Sequence, residues 1–193
     1  MKAIAVVVGT KYAGGQVLGV GLQKSSSTLQ WAPSGTIGCN RKFTNIICTP
    51  SITGSGAAST ATFTGDTDGS DNWAYICSID PEGTKDAATN YPAFDYANNY
   101  GVTQGITGNY KDGWYIPSQK ELCDIYKIKD TISDVITTVG GNLSMNIYYW
   151  SSSQSSSYGY YAYVVDFSGG YMGSGSYKYD KHNVLVVQAF NGQ

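Results

Sequence analysis

Several residue groups in this 193-residue chain have types and spacings that bear on chemistry. His182 is the only histidine and lies between Lys181 and Asn183 near the expected start of a strand. A lone histidine in that setting reads as a contact residue rather than a general base. The serine run from Ser151 to Ser157 has no nucleophile-elbow pattern around it. No glycine-rich loop ends in a Lys-Ser or Lys-Thr pair, so a phosphate cradle is not expected. Cys39, Cys48, Cys77 and Cys123 lack metal-ligand spacing. They read as free thiols or as one or two disulfides, with Cys39 and Cys48 placed to close a short loop. Free thiols are the preferred reading. Gly65-Asp66-Thr67-Asp68-Gly69-Ser70-Asp71 places carboxylates at alternating positions around a turn. Asp66, Asp68 and Asp71 are therefore the candidate ligands for a calcium ion, set against a solvated acidic turn that binds nothing. No enzyme activity and no other cofactor is expected.

The stronger signal is a recognition surface. From Ile147 to Lys181 the chain holds nine Tyr, nine Ser and five Gly, with only Asp166, Lys178, Asp180 and Lys181 charged. Tyrosine gives large, rigid, amphipathic contact area, while serine and glycine add adaptable hydrogen bonding. The candidate ligand-binding residues are Ser156, Tyr158, Tyr160, Tyr161, Tyr163, Tyr171, Ser174, Ser176, Tyr177, Tyr179, Asp180, His182 and Asn183. Tyr149, Trp150, Val165 and Phe167 are assigned to the core.

The elements that must carry these residues are legible in part. Tyr161 to Phe167 is β-rich, with Tyr161, Tyr163, Val165 and Phe167 on one face. Ser168-Gly169-Gly170 is a turn, Tyr171 to Tyr177 a returning strand, and Val184 to Phe190 a buried strand. At the other end, Ala3 to Val8 and Gly15 to Leu22 read as strands joined by a Tyr12-Ala13-Gly14-Gly15 turn. Gly19 and Gly21 mark a bulge or a close backbone approach. A short strand is expected around Trp31, loops from Ser34 to Ala61, and a strand from Asn72 to Cys77.

Helices come next. Pro92 opens one that buries Ala93, Phe94, Ala97 and Tyr100 and stops at Gly101. Ser118-Gln119-Lys120-Glu121 is a capping box opening a helix that buries Leu122 and Ile125, which gives Glu121 a structural role rather than a catalytic one. A further helix, capped by Asp130 and ended by Gly140-Gly141, buries Ile132, Val135, Ile136 and Val139.

Length and composition bound the rest. The chain suffices for one domain, residues 1–193, with its own core. Net charge is -2, charged residues are 13%, and no basic run occurs, so nucleic acid is not an expected partner. The apolar run at Met1 to Val8 is too short for a signal peptide or a membrane span.

Gly113-Trp114-Tyr115-Ile116-Pro117-Ser118 with Glu121-Leu122 forms a W-x-(L/I)-P-S-x-x-E-L block. It is followed by Tyr149-Trp150-Ser151-Ser152-Ser153, Ala162, Phe167 with Gly169-Gly170, Lys178, and a β run ending Ala189-Phe190. This order resembles the C-type-lectin-fold ligand-binding domains related to formylglycine-generating enzymes. More narrowly, it resembles the variable proteins of diversity-generating retroelements. The resemblance implies an α+β C-type lectin fold: small antiparallel sheets joining the two ends of the chain, two to three helices, and long loops. It also implies adenine-directed variation near the C terminus, where most candidate residues belong to the set an AAY codon yields. The implied partner is a protein or cell-surface ligand, met at a virion surface or a bacterial cell surface. The alternative is a structural tip or cap of fixed specificity. The closing strand lacks the arginines and proline common in that family. No cysteine lies beyond Cys123, so the formylglycine chemistry does not carry over, and the calcium motifs of sugar-binding lectins are absent.

Overall fold

The computed structural model describes residues 2–10 and 16–191. Strands β1 (Ala5–Thr10), β2 (Gln16–Gly21) and β3 (Leu29–Gln30) come first, then helix α1 (Ile37–Asn40). Strand β4 (Cys48–Pro50), α2 (Ala57–Thr60) and β5 (Phe63–Gly65) follow. A helical stretch holds α3 (Asn72–Ile79), α4 (Pro81–Thr84), α5 (Ala87–Asn90), α6 (Pro92–Asn98), α7 (Tyr100–Thr103), α8 (Gln119–Lys127) and α9 (Lys129–Thr138). The chain closes with β6 (Tyr148–Gln154), β7 (Tyr161–Asp166), β8 (Ser176–Tyr177), β9 (Lys181–His182) and β10 (Val187–Asn191). The expected turn at Tyr12 to Gly15 lies outside the described residues.

The α+β architecture joins the two ends of the chain. The first sheet runs β1-β2-β10, all antiparallel, with Val20 opposite Val187 and Leu18 opposite Ala189. The glycines of β2 mark close approach. A Cβ at Gly19 would lie 2.5 Å from the Phe190 ring, and one at Gly21 would lie 2.7 Å from the Tyr100 hydroxyl. The second sheet runs β6-β7-β8, and two-stranded pairs β3-β9 and β4-β5 link the loops.

Two cores fill the space. One is aliphatic: Leu18, Val20, Leu122, Ile125, Ile132 and Ile136 pack with Tyr149, Val165 and Phe167. The other is aromatic: Trp31, Phe43, Tyr91, Phe94, Tyr100, Trp114 and Trp150. Several of its rings meet edge to face, as where Trp31 stands 4.8 Å from Phe94 at 89°. Such pairs add about 0.5–1.5 kcal/mol each beyond burial.

The capping box at Ser118 is present, and it reaches further than the motif requires. Glu121 Oε2 accepts from the Ser118 and Gly69 amides, each at 2.9 Å, and Oε1 accepts from the Tyr115 hydroxyl at 3.1 Å. One carboxylate thus ties the acidic loop to the start of α8.

Several local expectations change. Asn72 to Cys77 is helical rather than extended. Ile76 turns into the aromatic core and Trp73 stacks on Phe94 at 5.1 Å, contacts that a helical period brings together. The 34–61 stretch holds α1, β4 and α2 besides loops; Thr36 caps α1 by accepting from the Cys39 amide at 3.3 Å. Gly101 lies inside α7 rather than ending a helix, pressed against the Lys111 carbonyl. Asp130 is in the first turn of α9, not at its cap, because α9 follows α8 directly at Ile128. Val135 and Val139 are exposed, so the buried stripe narrows to Ile132 and Ile136. Of Tyr171 to Tyr177 only the last two residues pair with β7; Met172 bridges to Gly54 instead. The strand near the C terminus begins at Val187, and Val184 to Val186 are buried without ladder pairing. All four cysteines are free thiols.

Candidate functional site

The serine run that opens the site is interior, not surface. Ser151 to Ser155 are buried; the Ser151, Ser153 and Ser155 hydroxyls bond the backbone and that of Ser152 a side chain. Ser151 Oγ donates to the Tyr163 carbonyl at 3.0 Å, and Ser155 Oγ donates to that of Ser174 at 2.6 Å. Ser153 Oγ accepts from the Gln119 amide at 2.9 Å, and Ser152 Oγ accepts from Asn72 Nδ2 at 2.8 Å. A bulge between Trp150 and Gln154 turns Gln154 inward. Its Nε2 donates to the carbonyls of Tyr158 and Tyr161 at 2.8 and 2.6 Å. This buried amide pins the turn that carries Tyr158 and Tyr160.

Above that frame five tyrosines form a continuous array. Tyr158 stacks on Tyr160 at 5.2 Å and 8°, Tyr160 on Tyr177 at 5.8 Å and 20°, and Tyr177 on Tyr179 at 4.8 Å and 17°. Tyr161 meets Tyr160 and Tyr177 edge-on, at 4.8 Å from each. Its hydrogen bond with Tyr177 is the main reason its phenol is pushed up to about 12. Tyr158, Tyr177 and Tyr179 are 54%, 39% and 38% exposed. Stacking covers part of each ring face, and Tyr158, Tyr177 and Tyr179 present the exposed part of the array.

Beside it, Ser176 Oγ lies 3.0 Å from Asp180 Oδ2 and 2.9 Å from His182 Nε2. Proton transfer from a serine would need the carboxylate on the other ring nitrogen of the histidine. Here the serine stands between the two, which fixes the loop and leaves no charge-relay geometry. Burial lowers the His182 pKa, partly offset by Asp180. The ring also sits 4.6 Å from Trp150 and 5.6 Å from Tyr148.

Most of the remaining candidates lie around these groups. Ser156 and Asn183 are half-buried; Asn183 Oδ1 accepts from Lys24 Nζ at 3.4 Å. Ser174 is exposed, and its carbonyl anchors Ser155. Tyr171 is exposed but makes no ring contact with the five-tyrosine array. Tyr163 is a correction: it is 2% exposed, its hydroxyl 3.3 Å from Ser156 Oγ. Both faces of β7 are covered, so alternation along it does not separate core from surface.

The sequence reading missed what holds the array. Lys178, between Tyr177 and Tyr179, is fully buried. Its Nζ donates to the Gly38 and Arg41 carbonyls at 3.0 and 2.8 Å and lies over the rings of Trp31 and Phe43, 4.4 and 4.7 Å from their centroids. Burial nonetheless draws its pKa down to about 7. Its signal was an isolated lysine in a tyrosine-rich segment. Arg41 and Lys42 were also missed, because they come from the far end of the sequence.

The acidic loop is built for its own backbone. Asp66 Oδ1 accepts from the Asp68 amide at 3.1 Å, and Asp68 Oδ1 accepts from that of Ser70 at 3.0 Å. Among the described residues no three His, Cys, Asp or Glu side chains converge to hold a metal. Elsewhere a cavity of about 460 Å³ lies between Lys2, Leu22, Tyr100, Ile106, Tyr110 and Val139, lined by none of the candidate residues. No helix among the described residues is long and apolar enough to cross a membrane.

Residues 25–188, from just before β3 into β10, match the family described as the Lcl C-terminal domain. The chain belongs to that family. The match bears out the resemblance to C-type-lectin-fold variable proteins. This Lcl-family domain also resembles a fimbrial protein from Bacteroides ovatus, with a TM-score of 0.61 at 14% identity. The alignment covers 90% of the Lcl-family domain and 36% of the fimbrial chain, so the domain spans little more than a third of that neighbour. At that identity the likeness speaks for the fold. No curated protein matches the chain.

Proposed function

We propose that this Lcl-family domain is a non-enzymatic ligand-binding module, displayed at a bacterial or virion surface, whose tyrosine array contacts a protein or cell-surface ligand. The observation that carries this reading is the array itself. Five tyrosines from two separate segments are gathered into one continuous array, three of them exposed. Buried Gln154 and Lys178 fix their backbone. Rigid aromatic anchors carry affinity at low entropic cost, and tyrosine is enriched among residues that dominate interfaces. The frame does not depend on the outward side chains, an arrangement suited to retroelement-directed variation at Tyr158, Tyr160, Tyr161, Tyr177 and Tyr179.

Two measurements test it. Sequencing the native locus should find a near-copy of the 147–190 coding segment that differs at template adenines, beside a reverse-transcriptase gene. Replacing Tyr160, Tyr171 and Tyr177 together with alanine should abolish binding to host-cell surfaces while the melting curve stays cooperative. Loss of folding in that variant would instead favour a fixed structural tip or cap, a reading to which the fimbrial neighbour lends support.

A further inference from the structure

The tyrosine array is bordered by residues from the opposite end of the sequence. Arg41 is the only arginine in the chain. It follows α1 directly and is exposed, as are Lys42 beside it and Ile37 one turn earlier. Among the described residues Arg41 and Lys42 form no ion pair. Lys181, in β9, is exposed too. The Asp180 carboxylate beside the array is engaged by the Ser176 hydroxyl, and that of Asp80, behind the corner, is buried and accepts from the Tyr91 hydroxyl. Arg41 and Lys42 thus put two positive charges at this corner, on a chain whose net charge is -2.

The placement is fixed by bonds and close contacts made to the corner's backbone and by the Lys42 side chain. The Arg41 amide donates to the Ile37 carbonyl at 3.1 Å, and its carbonyl accepts from buried Lys178. The tyrosine turn rests on this corner. A Cβ at Gly159 would come within 2.5 Å of the Asn40 carbonyl, and Lys42 Nζ donates to the Ser156 carbonyl at 2.8 Å. Arginine and tyrosine are the residues most enriched at interface hot spots, and a guanidinium pairs a carboxylate through two parallel bonds.

We propose that the 37–42 corner is a second half of the binding surface, and that it seats a carboxylate-bearing segment of a protein partner with Arg41 as its anchor. The proposal rests on the ligand-binding reading above. It adds a charge requirement from a part of the chain outside the tyrosine-rich segment, so partners that differ in their contacts to the tyrosines share an acidic feature.

The test is selection from a random linear peptide library, run in parallel on the unaltered domain, an R41Q/K42Q variant and a Y160A/Y177A variant, each checked by thermal melting. The unaltered domain should enrich peptides that join Asp or Glu to apolar residues. A synthetic peptide from that pool should bind R41Q/K42Q about tenfold more weakly, and its affinity should fall with added salt. R41Q/K42Q should still select peptides, now without acidic bias, and Arg41→Lys should restore part of the loss. Equal acidic enrichment on R41Q/K42Q, neutral peptides on the unaltered domain, or no peptides at all would overturn the proposal. Unchanged selection by Y160A/Y177A would instead overturn the tyrosine-surface reading. Heparin binding that needs Arg41 and Lys42 but not the tyrosines would give the corner to a polysaccharide and overturn a protein partner.

Discussion

Lys178 Nζ lies 4.4 Å from the centroid of the Trp31 ring, joining the turn after β8 to the segment that follows β3. Two carbonyls and two ring faces favour the ammonium, while burial opposes it and draws its pKa from 10.5 down to about 7. Cys39 is nearby, its own thiol raised by burial and lowered in turn by Lys178. Between these pKa values the unfolded chain holds a proton that the folded chain has lost, so stability rises as pH increases through that window. Denaturant unfolding from about pH 7 to about pH 10 should show a rise of at most about 1.4 kcal/mol per pH unit, and Lys178→Met should flatten it.

Tyr163 and the outer tyrosines should separate cleanly. Tyr163→Ala opens a cavity in a fully covered strand and should cost about 3–5 kcal/mol. Tyr158→Ala and Tyr179→Ala, at exposed positions, should each cost about 1 kcal/mol or less. Urea melts of the three variants check the contrast.

Gly159→Ala should destabilise by about 1–3 kcal/mol, because the added methyl meets backbone rather than a yielding side chain. The same change should weaken ligand binding by shifting Tyr158 and Tyr160. A melt with the wild-type midpoint would show that the turn does not rest on the 40–42 backbone.

Asp66 is half-buried, and burial, with smaller contributions from Asp71 and Asp68, pushes its pKa up from 3.8 to about 6. A folded-state value above the unfolded one means that its contribution is fully present below 3.8 and is lost as pH rises through about 6. Asp66→Asn should therefore raise the melting temperature at about pH 8 and leave it nearly unchanged at about pH 3. With no three candidate metal-binding side chains converging among the described residues, calcium and EDTA should leave the melting temperature of the unaltered domain in place.

Much of the frame could be read without coordinates where one residue type has one local job. Ser118 and Glu121 form the capping box because their spacing matches a helical turn. Pro92 opens a helix because its missing amide costs nothing there. The 72–77 segment misled because a short apolar run satisfies both the strand and the helix period. Val135 and Val139 misled because a buried stripe gives no measure of its own width.

The sequence alone determined that this chain is an α+β domain rich in tyrosine, serine and glycine near its C terminus, because composition and local spacing are properties of neighbouring residues. Tertiary structure alone decided which tyrosines face outward. Tyr163 and Tyr161 are two residues apart on one strand, yet the first is buried and the second joins the array. The two share a face of β7, so the difference is set by where along the strand that face is covered: the cover falls away at Tyr161, its first residue. Tertiary structure also placed Lys178 under Trp31 and the backbone of Arg41 against Gly159, contacts between distant parts of the chain that no local pattern encodes.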